Sequence, residues 1–178
     1  MPSSTRAPRT GDERSQIVGM LDHQRRLVRM KCQGLSEADA HRPVLPASPL
    51  MTMAGVVAHL RWVEYAWFHL NLLGIPETDQ TPWKEGGHVD AEMFVDDVPL
   101  DQLLDEYDEE WARSNAIAAS HSLDDLEKNP GKGEAASVRY ILLHLIEETA
   151  RHLGHLDAIR ELLDGITSYE VAAESPAT

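Results

Sequence analysis

The chain has 178 residues, 42% of them hydrophobic, which suits one domain and supplies enough apolar material for a real core. Its 16 lysines and arginines stand against 30 aspartates and glutamates, a formal charge of −14 that excludes nucleic acid as the main partner and argues against docking on anionic membranes. The one cysteine, Cys32, cannot form an internal disulfide, so a reducing cytoplasm is expected; residues 1–11 lack the apolar run of a secretory signal, and no stretch approaches the roughly 18 apolar residues of a membrane span.

Four segments carry helical apolar periodicity and none alternates convincingly as a strand. The first is expected over about 12–31, capped by Asp12, with Ile17, Leu21, Leu27 and Met30 on one face. A connector follows with a helical-looking Ser36-Glu37-Ala38-Asp39 and then Pro43, Pro46 and Pro49. The second helix spans about 52–73, with Thr52 as N-cap and Gly74 as its stop. The connection 74–98 is long for a compact domain, which usually marks a functional or mobile segment; it holds Trp83 and His88. The third helix, about 99–120, starts with Pro99 at its first position and buries Leu100, Leu103, Leu104, Tyr107, Trp111 and Ile117. Its acidic run from Asp105 to Glu110 reads as a solvated face. A surface loop leads to the fourth helix, about 137–164, capped by Ser137 and ended by Gly165. The domain is thus expected over 12–167, between flexible tails at 1–11 and 168–178.

The fourth helix carries the chemistry. At about 100° per residue its stripe is Ile141, Leu145, Glu148, His152, Leu156, Ile159 and Leu163, so two polar groups interrupt an aliphatic seam. An ionised carboxylate buried alone is prohibitively costly, which implies a partner or a metal. Glu148 and His152, four residues apart, sit side by side on one face. The second helix repeats the anomaly with His59 among Val56, Val63, Trp67 and Leu70. One ligand from one helix and two from another make a three-ligand site with open positions, the catalytic rather than the closed pattern. Two imidazoles and a carboxylate suit zinc, and also nickel, manganese or ferrous iron. The competing reading is a hydrogen-bonded polar network without an ion. His144 and His155 flank the same face; His69 is expected on the surface, Trp62, Trp67 and Trp111 in packing roles, and Cys32 is no credible nucleophile.

The segment Met51-Thr52-Met53-Ala54-Gly55-Val56-Val57-Ala58-His59-Leu60, continuing through Val63-Glu64 to Trp67-Phe68, resembles the DinB/YfiT superfamily of metal-dependent helical bundles, as does Glu147-Glu148-Thr149-Ala150-Arg151-His152-Leu153-Gly154-His155-Leu156-Asp157. The resemblance covers about residues 12–165 and is greatest to the actinobacterial branch that also resembles mycothiol-dependent enzymes. It implies an all-α, up-down four-helix bundle with a long crossover between the second and third helices, the 74–98 connection. It also implies metal ligands at His59 and His152, with Glu148 where the family commonly has His; that departure resembles the mycothiol-dependent maleylpyruvate isomerase pattern. His155 becomes a fourth ligand or a proton shuttle, and His88 a second candidate shuttle.

The function expected is a metal-dependent transferase or isomerase that uses a low-molecular-weight thiol, mycothiol by resemblance, on a small electrophile. Hydrolysis by metal-activated water, or a non-enzymatic metal-binding stress or regulatory role, are the alternatives. The partners are then a small thiol and its electrophile, with the chain a monomer or homodimer.

Overall fold

The structure, a computed structural model, describes residues 7–78, 81–83, 87–131 and 133–167. The chain-order capping signals act where they stand. Asp12 accepts the Ser15 N–H at 2.9 Å and opens α1 (Glu13–Cys32). Ser36 caps the short α2 (Glu37–Ala40), Thr52 accepts the Gly55 N–H at 2.9 Å to open α3 (Met53–Tyr65), and Ser137 caps α5 (Val138–Asp164). Gly165, at φ +79°, takes the left-handed conformation that ends α5. Between them lies α4 (Leu100–Ala119). Pro99 sits just before α4 rather than as its first residue, and the first free N–H of the helix, on Leu100, donates to the carboxylate of Glu37 on α2.

The second helix departs from expectation at its end. After Tyr65 the chain winds as a π-helix over Ala66–Leu72, with the Leu73 N–H reaching back to the Phe68 carbonyl. The wider turn re-aims the last side chains, so that Phe68, Leu70 and Leu72 are buried.

Ion pairs and carbonyl contacts fix the helix directions. Arg139 meets Glu13 at one end of the α1–α5 pair and Arg160 donates to the Lys31 carbonyl at the other, so these helices run parallel. Arg14 donates to the Ala118 carbonyl while Arg29 pairs with Asp105 and Asp108, so α4 runs opposite to α1. Met53 at the start of α3 shares a core cluster with Val28, and Phe68, in the π-helix that continues α3, shares the other with Leu21, so α3 also opposes α1. Consequently α3 and α4 are parallel, and their connection must travel the length of the bundle. That is the long crossover the family resemblance implies; a 3₁₀ turn, Ala91–Met93, lies within it.

The core has two apolar clusters, one around Val28, Met53, Val56, Leu104 and Leu156, the other around Leu21, Phe68, Ile141 and Leu145. A polar layer separates them. Arg25, 1% exposed, donates Nε and Nη2 to the two oxygens of Glu64 at 2.6 and 2.5 Å. Its Nη1 reaches Asn115 and Asp22, and its guanidinium lies 5.7 Å from the Trp111 ring centroid. Every donor so placed has an acceptor, which makes this buried charge tolerable. Among the described residues the extended structure is a single isolated bridge, Leu126 to Ser137, and no helix is long and apolar enough to cross a membrane.

Of the expected tails, residues 7–11 are described. Pro8 lies against Gly19, where a Cβ would collide with its ring, and the Gly11 carbonyl accepts from Gln16. Residues 1–6 and 168–178 lie outside the described residues.

Candidate metal centre

The buried seam of α5 is Ile141, Leu145, Thr149, Leu153 and Leu156. It shares Ile141, Leu145 and Leu156 with the expected stripe but runs through Thr149 and Leu153 in the middle, so Glu148 and His152 stand at the seam's edge rather than at its centre. Each keeps 12% of its side chain exposed, and His59 on α3 keeps 19%. This corrects the expectation of a centrally buried site. The groups instead form the inner wall of a cavity, where an ion would be reachable.

The three side chains do converge. Oε1 of Glu148 lies 3.2 Å from His59 Nε2 and 3.1 Å from His152 Nε2, and one ligating atom from each residue falls within 4.8 Å of the others. The imidazole rings of His59 and His152 are 4.7 Å apart and tilted by 48°. Two imidazoles and a carboxylate at this spacing fit a divalent ion as donor set. The second Glu148 oxygen accepts from Arg151 at 3.2 Å.

Sequence reasoning missed one residue. Glu92, in the crossover and 5% exposed, accepts the His59 Nδ1 hydrogen at 2.8 Å, while its other oxygen accepts the Trp83 indole N–H at 2.9 Å. With its Nδ1 proton held there, His59 turns Nε2 toward Glu148 and His152. A carboxylate on the far nitrogen is the usual support of a ligating histidine. The only signal in the sequence is an acid flanked by Ala91, Met93 and Phe94 inside an otherwise polar connection. Trp83, in the same connection, packs edge-on against Trp62 at 5.6 Å.

Charge follows this geometry. Burial opposes protonation of His59, but its hydrogen bonds to Glu92 and Glu148 outweigh it and hold its pKa above the ordinary value. Burial also works against the charged forms of Glu92 and Glu148, yet their contacts with His59 leave both below the usual carboxylate value. His152 goes the other way. Burial, and then the neighbouring His59 charge, bring it down to about 4, so at neutral pH it is uncharged.

The cavity, about 690 Å³, is bounded by His59, Glu148 and His152 on one side and by Pro49, Leu50, Met51, Met93 and Phe94 on others. His88 lines it from the rim, half exposed, with Nδ1 accepting the Asp90 N–H at 3.1 Å. His155 stands outside the trio, its Nδ1 3.5 Å from that of His152. His144 is not drawn in: it packs against Trp67 and stacks on Tyr140. His69 is not a surface residue, because it pairs at 2.9 Å with Glu110 and stacks on Tyr65. Glu110, 1% exposed, therefore leaves the solvated acidic face to which its neighbours belong. Cys32 is buried in the core, and burial pushes its thiol up to about 12.

A helical bundle with a His–Glu–His cluster on a substrate-sized cavity defines a DinB-like protein with a candidate metal centre. The family model of mycothiol-S-transferase matches residues 16–165, nearly all of the helical bundle. The chain belongs to that family, which carries mycothiol S-transferase activity. No curated protein and no solved structure matched it.

Proposed function

We propose that the chain conjugates mycothiol to a small electrophile at a divalent ion held by His59, Glu148 and His152, zinc being the ion the donor set favours. The observation that carries this reading is the convergence of these three ligating atoms within 4.8 Å on the cavity wall, in a chain of the mycothiol-S-transferase family. A divalent ion there would favour the thiolate form of a thiol at neutral pH. The side chains supply the rest. Glu92 fixes the tautomer and direction of His59, and the apolar wall excludes water from the electrophile. Because His88 accepts the Asp90 N–H at Nδ1, its neutral form carries the ring proton on Nε2 and serves as a hydrogen-bond donor to a leaving group at the rim. His155 backs His152 rather than adding a ligand. The thiol must come from the cosubstrate, since Cys32 is sealed.

Elemental analysis of the purified chain and of His152→Ala, beside mycothiol transfer to a bimane electrophile, tests the reading. About one divalent ion per chain, lost together with transfer in the variant, is expected. Metal-independent transfer, or turnover that needs no thiol, would replace it with a metal-free conjugation or a hydrolytic reaction.

A further inference from the structure

The cavity's lining bears on which electrophile is taken, and this inference rests on the transferase reading. Its apolar surface comes from Ala47, Pro49, Leu50, Met51, Met93 and Phe94, the last 55% exposed and set edge-on to His88 at 5.2 Å. No lysine or arginine is among the described residues that line it. Arg151 lies outside the lining and offsets one wall carboxylate, with Nη1 on Glu148 and Nη2 on Glu147. The acids of the lining are Glu148 and Asp90, with Glu92 behind His59. With Arg151 on Glu148, the two positive charges of a divalent ion would balance these three carboxylates, and a bound thiolate would then leave the site net negative. An anionic electrophile would then approach like charge, with no lysine or arginine on the described wall to receive it.

We infer that the site selects uncharged, largely apolar electrophiles and discriminates against carboxylated ones, with Asp90 as a residue that sets this preference. In the reaction considered, the thiol sulfur forms a C–S bond to an aryl carbon, chloride leaves with the bonding pair, and the thiol proton passes to solvent.

The test uses two aryl chlorides of the same shape, a chlorodinitrobenzamide and the matching chlorodinitrobenzoate, each with mycothiol and the zinc-loaded full chain. Each kcat/KM is divided by the uncatalysed rate constant of the same compound, which removes intrinsic reactivity. The neutral amide should be favoured by about tenfold or more, and Asp90→Lys should narrow that ratio severalfold. Equal acceleration of both compounds, or a preference for the benzoate, would overturn the inference while leaving the transferase reading intact. A ratio unmoved by Asp90→Lys would remove Asp90 from it. No acceleration of either compound, nor of a neutral bimane, would sink the transferase reading and the inference with it.

Discussion

Replacing Glu92 with glutamine tests the architecture of the centre without touching a proposed ligand. The substitution keeps the shape and one oxygen but removes the charge that receives the His59 Nδ1 hydrogen at 2.8 Å. A hydrogen bond to a charged group is worth roughly 1.5–3 kcal/mol and a neutral one roughly 0.5–1.5, so about 1–1.5 kcal/mol of support for His59 is lost. At about 1.4 kcal/mol per factor of ten, zinc affinity should fall about tenfold, in line with other outer-shell changes. Competition against a chromophoric chelator measures this directly. Glu147→Gln is the control, because Glu147 is 60% exposed and lies on Arg151, outside the cluster. Thermal melting of the metal-free proteins separates support of the ion from support of the fold. Zinc affinity within twofold of the parent would refute the positioning role, and a large loss of metal-free stability alone would make Glu92 a purely structural residue.

Other consequences follow from the same geometry. His59 is held above its ordinary pKa and His152 down to about 4, so near pH 6 a metal ion displaces about one proton, from His59. Affinity should therefore fall as pH drops through the raised His59 value; titration calorimetry in buffers of different ionisation enthalpy would contradict this if it showed two protons or none. Glu64→Leu strands the Arg25 guanidinium in the core with only Asn115 and Asp22, and should cost about 3 kcal/mol in denaturant unfolding; a loss below about 1 kcal/mol would mean the polar layer relaxes to admit water. A Cβ on Gly55 would lie 2.3 Å from the Leu50 carbonyl oxygen, a backbone atom that cannot swing aside. Gly55→Ala should thus displace the segment carrying Leu50 and Met51, lower stability by about 1–3 kcal/mol and raise the electrophile's KM; an unchanged KM would mean the shift is absorbed away from the cavity.

Helix ends and the Glu148–His152 pair were legible in the sequence because both are local, whereas His59, 89 residues before Glu148, was joined to them by the family resemblance. Asp12, Thr52 and Ser137 act within three residues of their partners, and Glu148 with His152 needs only one helical turn. What was illegible depends on distance or on phase. Glu92 meets His59 across 33 residues of chain, and nothing in either segment names the other. The partnership of Arg25 and Glu64 spans 39 residues and is equally silent. The stripe on α5 was wrong only in its middle: Ile141, Leu145, Leu156 and Ile159 belong to the true seam and to the expected one alike, and only Thr149 and Leu153 tell them apart. His69 was assigned to the surface on α-helical phase, whereas the π-helix over Ala66–Leu72 breaks that phase where His69 stands.

The sealed cysteine bears on the protein's own survival. A protein that handles electrophiles is bathed in alkylating agents, and its most vulnerable group is ordinarily a thiol. Burial raises the Cys32 thiol to about 12 and leaves the residue 3% exposed, so the reactive thiolate is scarce at neutral pH. Reagent that escapes conjugation therefore finds no cysteine to modify. The chain can work at electrophile concentrations that would inactivate a catalyst relying on its own sulfur, and it draws its reactive thiol from a cosubstrate pool that is consumed in its place.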